Sequence, residues 1–337
     1  MRSEKMHIYK STVKNHSKGG NGETVFRRTI MKKYKPEGKL LATPENRAAL
    51  EDINSLMQAY TKKTPLEARV ILCDNNHNLH LDLGPLRGII PRNEGAIGIE
   101  DGSVRDIALI SRVNKPVVFR ITGFEDNGYG ERIAILSRRA VQQDCYNEYI
   151  SKLLPGDVID ARITHIEGFG AFADIGAGLV ALMPIDAISV SRIPHPNVRF
   201  STGDDIKAIV KEIAEDGKIT LSHKELLGTW EQNAQNFCAG QTVPGIIRSV
   251  EKYGIFVELA PNLAGLAEPV PDVYPGQHAT VYIKSLIPER MKVKLIIVDA
   301  FSADYPPEQP QYYTDAQHIS RWIYSPECCA RQIESTF

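Results

Sequence analysis

The feature that most limits what this chain can fold into is an internal repeat. The stretch Ala161-Arg162-Ile163-Thr164-His165-Ile166-Glu167-Gly168-Phe169-Gly170-Ala171-Phe172-Ala173-Asp174-Ile175 lies, at an offset of 84 positions, on Gly245-Ile246-Ile247-Arg248-Ser249-Val250-Glu251-Lys252-Tyr253-Gly254-Ile255-Phe256-Val257-Glu258-Leu259. In both, an alternating run reaches a turn, an aromatic-Gly-x-Phe step follows, and a second alternating run leaves it. Period-two alternation marks a half-buried strand. Self-similarity at a fixed offset means that one supersecondary unit is used more than once. Each copy is entered through a glycine step (Pro155-Gly156-Asp157; Ala239-Gly240-Gln241) and is followed by a further apolar stretch, Leu179 to Ile185 or Leu263 to Ala267.

The copies continue in parallel. Thr202 to Val210 has its counterpart in Pro275 to Ile283, and each unit closes on a short strand, Ile219-Thr220-Leu221-Ser222 or Val293-Lys294-Leu295-Ile296. A fainter copy precedes them: Arg69 to Leu72, Leu79 to Gly84, Gly88-Ile89-Ile90-Pro91, Val117 to Ile121 and Ile133 to Ser137. Five strands in a unit of this size, with glycines at the bends, suit a small closed barrel of the OB type. The expected fold is therefore all-β: three tandem five-stranded barrels over residues 66–139, 155–226 and 240–299, the first of them degenerate, with helical linkers and an N-terminal helix.

Outside the repeats, residues 1–38 are polar and basic and are expected to form a flexible arm; Met31-Lys32-Lys33-Tyr34 also offers a translation start of its own. Over 39–64 one amphipathic helix is expected, at 44–60. Thr43 is its N-cap, Pro44 its first residue, and Leu50, Ile53, Leu56 and Met57 form the face that packs on the first barrel. Arg138 to Ile150 and Lys224 to Phe237 read as helical linkers that hold neighbouring barrels close. The tail, 300–337, reads as extended, with a short helix at 314–324.

Composition narrows the class. No run of 18 apolar residues occurs, and the basic N-terminus has no apolar core behind it, so neither a membrane span nor a secretory leader is expected. Five scattered cysteines without a Cys-x-x-Cys pair read as reduced thiols of a cytoplasmic protein, and no ligand spacing for zinc is present. Net charge is −1, but residues 1–40 hold eleven Lys/Arg against three Asp/Glu. The rest of the chain is acidic, so any polyanion must be held by local faces rather than by the overall field.

The barrel's outer face on its second and third strands holds single-stranded nucleic acid in folds of this type, using exposed aromatics and nearby cations. Phe169 and Phe172, and Tyr253 and Phe256, are spaced for this. A lone strand phenylalanine is read as core; a repeated pair beside glycines that keep the surface open is read as a stacking pair with at least one ring exposed. In the first unit the corresponding places fall near His77 and His80. Arg162, His165, Lys207, Lys218, Arg248, Lys252 and Lys284 are candidate phosphate contacts, each of which taken alone is a solvated surface charge.

These repeats closely resemble the S1 motif, on Gly168-Phe169-Gly170-Ala171-Phe172, Tyr253-Gly254-Ile255-Phe256-Val257, Gly88-Ile89-Ile90-Pro91, Leu136-Ser137-Arg138-Arg139 and Leu221-Ser222-His223-Lys224-Glu225. The resemblance spans residues 66–299, and the whole chain looks like the short S1-type ribosomal proteins of Gram-positive bacteria. It implies binding of single-stranded RNA, mRNA included, at the small ribosomal subunit. Three departures stand out. The histidine that many S1 motifs carry on strand three is replaced by Pro184 and Glu268, the third unit lacks the closing Leu-Ser, and the first lacks the ring pair. The second barrel is therefore expected to be the main contact.

No catalytic constellation is present: the phosphate-binding loop Gly-x-x-x-x-Gly-Lys-Ser/Thr, Gly-x-Ser-x-Gly and His-Glu-x-x-His are all absent. Neither an enzyme nor a cofactor, a small-molecule substrate or a membrane partner is expected. Two alternatives stay open beside a translation role. One is a protein-interaction scaffold that has lost RNA; the other is a regulator of RNA turnover or transcription that uses the same RNA contact.

Overall fold

The computed structural model describes residues 34–126, 128, 130–305 and 309–337. Among these, three closed five-stranded barrels follow one another. The first is built from β1 (Leu66–Cys73), β2 (Leu79–Asp82), β3 (Arg87–Ile90), β4 (Pro116–Asp126) and β5 (Arg132–Ser137). The second uses β6 (Val158–Glu167), β7 (Gly170–Gly176), β8 (Leu179–Pro184), β9 (Asp205–Ile213) and β10 (Ile219–Ser222). The third uses β11 (Thr242–Glu251), β12 (Gly254–Ala260), β13 (Leu263–Ala267), β14 (His278–Ile287) and β15 (Lys292–Phe301). All three share one topology. A three-stranded meander is followed by two strands that close the barrel, the last of them parallel to the third.

The alternation read from the sequence decides which side chains fill each barrel. In the second, Ile159, Ile163, Ala171, Ala173, Met183, Ala208, Val210 and Leu221 are buried. In the third the same places are held by Ile247, Ile255, Val257, Val281, Ile283, Val293 and Leu295. In the first they are Leu66, Val70, Leu79, Leu81, Val117, Phe119, Ala134 and Leu136. Each large apolar side chain so buried contributes about 1.5–3 kcal/mol.

The expected single helix at 44–60 is two: α1 (Pro44–Ala49) and α2 (Ile53–Lys62). Thr43 caps the first as expected, but the Asp52 carboxylate accepts the Ser55 N–H at 2.7 Å and starts a second helix in a new direction. Leu56 is fully buried against the first barrel and Leu50 packs beside it, whereas the break turns Ile53 to solvent. A four-residue helix, α3 (Ile107–Ile110), lies between β3 and β4. The linkers form α4 (Arg138–Glu148), and a 3-10 turn Lys224–Leu227 followed by α5 (Trp230–Ala234). Gly228, at φ +84°, separates the last two.

Of the expected flexible arm, residues 1–33 lie outside the described residues, and residues 34–38 are held in place. Tyr34 and Glu37 are buried. The Glu67 carboxylate accepts the N–H groups of Gly38, Leu40 and Leu41, and Glu37 reaches Val118 N–H on one barrel and Asp174 on the next. This strap is fixed because its backbone donors find buried carboxylates.

One docking rule links the barrels: the hairpin between the second and third strands packs on the helical segment that precedes the barrel. In the second barrel Gln142 of α4 donates to Ala177 O at 3.1 Å. In the third, the fully buried Asn262 donates to Lys224 O and Gly228 O and accepts Val190 N–H. In the first, the Gly84 turn lies so close to Leu50 O that a Cβ there would stand 3.3 Å from it.

The tail does not form the helix expected at 314–324. Its backbone groups are taken by the second barrel, where Val158 N–H donates to Gln317 O and Ile319 N–H to Gly156 O. Beyond this it forms a two-stranded sheet of β16 (Arg321–Ile323) and β17 (Glu334–Thr336), and sets Trp322 and Tyr324 into the third barrel's core. All five cysteines are free, and no helix of the described residues is long and apolar enough to cross a membrane.

Candidate nucleic-acid interface

The register of the second barrel lines up one row of outward side chains across the sheet: His165, Phe172, Leu182, Thr220 and Glu212. Phe172 faces outward because its neighbours Ala171 and Ala173 face the core. Its ring is half-buried, with His165 stacked on it at 6.1 Å and Phe169 meeting it edge-on at 6.0 Å. Phe169 stands in the turn before β7 and is 58% exposed. The site is thus a floor, Phe172, with two walls. Edge-to-face packing of the two phenylalanines holds the outer ring without hiding its face.

The third barrel repeats the arrangement. Its row is Ser249, Phe256, Leu266, Lys294 and Ser285. Phe256 projects between the buried Ile255 and Val257, and Tyr253, 69% exposed, meets it edge-on at 6.2 Å.

The glycine inside the aromatic-Gly-x-Phe step has a different task from keeping the surface open. Gly170 and Gly254 are buried, and a Cβ on Gly170 would lie 2.5 Å from Met183 O, one on Gly254 2.7 Å from Ala267 O. The neighbouring strand's backbone occupies the space, so the two rings can share one face only if the residue between them has no side chain.

In the first barrel the row is Leu72, His80, Ile89, Ile135 and Gly123. His80 occupies the place of the second ring, and its Nε2 lies 3.0 Å from Asp74 Oδ2. That hydrogen bond, with those from Asn78, holds the Asp74 carboxyl well below the usual range. His77 sits in the preceding turn in the left-handed region, 4.0 Å from Asp106. The surface around His80 is an open groove of about 560 Å³ of mixed character, lined by Ile71, Leu72 and Ile133 and by the charged Asp82, Arg87, Glu131 and Arg132.

The candidate cations divide. His165 is exposed and bonded to Glu167 at 2.6 Å. Lys252 is exposed beside Tyr253, and Lys218 stands in the turn before β10, paired with Asp216. Lys284 lies 3.9 Å from Glu268. Arg162 is taken up by Asp205 and by Glu37 O at the strap, and Lys207 lies under the tail, near the Tyr312 ring and Asp315. Arg248, expected as a phosphate contact, is not free for one: its side chain is 8% exposed and grips Glu258 with Nε at 3.0 Å and Nη2 at 2.9 Å. Burial opposes ionisation of Glu258, yet Arg248 and Arg199 hold its carboxyl below the ordinary range, so this arginine is committed to the fold. One cation was missed. Lys294 is exposed and in register with Leu266 and Phe256. Laying Ile219-Thr220-Leu221-Ser222 over Val293-Lys294-Leu295-Ile296 already puts it at the site of Thr220.

Residues 152–224 match the family model of the S1 RNA binding domain. The middle barrel matches the S1 family. Small ribosomal subunit protein bS1 of Staphylococcus aureus (strain COL) is 32% identical over 180 residues, covering 48% of this chain and 46% of its own length. The protein of the same name from Mycobacterium tuberculosis (strain ATCC 25618 / H37Rv) is 27% identical over 296 residues, 83% of this chain and 59% of its own length. The chain thus spans about half the length of these S1 relatives. Among solved structures, a multidomain protein with nucleic acid binding domains from Streptococcus pneumoniae covers 70% of this chain and 73% of its own, at 12% identity and a TM-score of 0.24.

Proposed function

We propose that this chain binds single-stranded RNA on the outer faces of its second and third barrels, as a non-enzymatic, cytoplasmic protein that brings mRNA to the small ribosomal subunit. The observation that carries the reading is the paired rings: Phe169 over Phe172 and Tyr253 over Phe256, each pair with its outer ring in solvent. A base stacked on such a ring contributes about 1–3 kcal/mol and needs no particular sequence. Two linked sites raise overall affinity by ~10²–10⁴ over one, so two modest faces suffice. The S1 match of the middle barrel and the ribosomal names of the relatives support the same reading. A role in RNA turnover or transcription would use the same faces.

The test is the double substitution Phe169→Ala/Phe172→Ala in the full chain, titrated with an unstructured single-stranded RNA by fluorescence anisotropy. The expected result is at least a tenfold loss of affinity with unchanged circular dichroism. A folded double mutant that binds as tightly as the parent overturns the stacking site. For the ribosomal role, co-migration with small subunits in a gradient should vanish after ribonuclease treatment. The first barrel, which has His80 in place of a ring pair, is read as partly structural rather than as a third stacking site.

A further inference from the structure

The strand that closes each barrel ends differently in the third. In the first two it ends on a fully buried serine, Ser137 or Ser222. Ser137 Oγ accepts the Ala140 N–H at 2.9 Å and starts α4, while Ser222 Oγ donates to Glu225 Oε2 at 2.5 Å within the Lys224–Leu227 turn. These helical segments turn back over the outer face of the fourth strand. Arg120 of β4, opposite Ser137, bonds Asp144 of α4 at 2.6 Å. Ile209 of β9, opposite Ser222, is fully buried, and the Lys224–Leu227 turn packs on that strand.

In the third barrel the serine's place is taken by Ile296, opposite Tyr282. Isoleucine has no oxygen with which to cap a helix, and the chain does not turn. β15 runs on, pairing with β14 as far as Phe301 opposite His278, with Val298 left as the extra residue of a bulge. Among the described residues, no helical segment covers here the face that is covered in the first two barrels. Ile296 is 43% and Val298 61% exposed, and Tyr282, Phe301 and Tyr305 are exposed with them. His278 is stacked on Phe301 at 6.0 Å and meets Tyr305 edge-on at 4.9 Å. A contiguous apolar patch rich in aromatic anchors marks an interaction surface.

Its charge selects the partner. Residues 270–282 and 296–305 contain Asp272, Asp299 and Asp304 and no lysine or arginine, and all three carboxylates are exposed. A phosphate backbone is repelled by such a surface. We infer that the end of this face formed by residues 278–282 of β14 and 296–301 of β15, away from Lys284, Lys292 and Lys294, docks a protein partner through an amphipathic helix whose polar side is basic. A helical segment is what covers the same face in the two preceding barrels. Helices of this kind bind by laying an apolar stripe into an apolar surface. The surface adjoins the RNA face, since Ile296 is the next outward residue after Lys294 on β15, but it uses other side chains.

The test uses the full chain and three synthetic helical peptides that share a Leu/Phe stripe at i, i+3, i+4 spacing and differ only in a polar side of Lys/Arg, Gln or Glu. By fluorescence anisotropy the basic peptide should bind at least tenfold more tightly than the acidic one. Its binding should fall at least tenfold in Val298→Glu. That substitution adds an acid, so unspecific attraction would rise and only loss of the apolar contact can lower affinity. Ile296→Ser, which restores the residue type of the other barrels, serves as the second variant should Val298→Glu melt. Hydrogen exchange should show protection at 278–301. Equal affinity for the three peptides, binding indifferent to both variants, protection elsewhere, a dimer of the chain that Val298→Glu disperses, or protection of this face by RNA would each overturn the proposal.

Discussion

The backbone N–H of Glu37 donates to Oδ2 of Asp174 at 2.7 Å, joining the strap before the first barrel to the hairpin of the second across 137 residues. Asp174 also accepts the N–H groups of Gly176 and Gly178. Arg138 Nε lies 2.6 Å from Glu37 Oε1, and Arg112 lies nearby at 3.3 Å. Burial works against the charge on Glu37, but Arg138 and Arg112 keep its carboxyl below the usual range. Asp174 gets the opposite treatment, because burial and the Glu37 charge push it up to about 7.

The junction between the first two barrels should therefore loosen as pH rises. An unfolded aspartate titrates at about 3.9. Between there and about 7 the folded chain holds a proton that the unfolded chain has released, so stability falls across that window and levels off above it. Over the whole window the change is on the order of a few kcal/mol. Glu67 is also raised, by burial first, and has the same sign. Glu37 has the opposite sign, and its contribution is lost only on acidification below the ordinary carboxylate range. Melting temperatures between pH 5 and 8 should decline in the parent and decline distinctly less in Asp174→Asn, the remaining slope belonging to Glu67. An equal slope in both would assign the dependence to other groups.

Arg248 and Lys294 should separate stability from binding. Arg248→Ala leaves the buried Glu258 with Arg199 alone, and breaking a buried pair from one side costs about 3–5 kcal/mol. The folded fraction should still bind RNA as the parent does. Lys294→Ala should leave the denaturation midpoint unchanged and weaken RNA binding several-fold. The opposite pattern would place the RNA on another face.

The barrels were legible because their signal is local and repeated. Alternation chose the inward residues, and the 84-residue offset tied Asp174 to Glu258 and Phe172 to Phe256. The ring pair was legible for the same reason, since small or apolar neighbours at 171, 173, 255 and 257 leave only 172 and 256 to face outward. What failed to show were contacts made across the chain. Nothing near Arg248 in sequence announces that Arg199 and Glu258 will bury it. Nothing near residue 317 says that Val158 will take its carbonyl, and so a helical pattern was assigned where the tail is held extended. The absent serine at 296 was visible as a departure, but its consequence depends on where the next segment goes.

The tail should act as a clasp on the last two barrels. Trp322 and Tyr324 pack at 5.7 Å in the third barrel's core, Tyr324 O accepts Trp230 N–H, and Ser335 reaches Glu225 at 2.8 Å. Trp322→Ala should cost about 3–5 kcal/mol. Hydrogen exchange should rise in β11–β15, at Val158, whose N–H donates to Gln317 O in the tail, and at Ile319, whose N–H donates to Gly156 O, and stay unchanged in β1–β5. Uniform loss of protection would show instead that all three barrels unfold as one.

Salt should act weakly on RNA binding, because rings rather than cations make the site. For single strands the logarithm of affinity falls by about 0.7 per phosphate neutralised for each decade of salt. With two exposed cations at the rings (Lys252 beside Tyr253, and Lys294 in register with Phe256), the slope should be about 1.4, so that raising salt from about 50 to about 200 mM lowers affinity roughly sevenfold. Phe169→Ala/Phe172→Ala should shift the whole line downward and leave its slope intact, whereas Lys294→Ala should reduce the slope by about 0.7. A parent slope of about 4 or more would mean that phosphate contacts dominate, and a slope that changes with the ring substitutions would mean that the rings merely position cations.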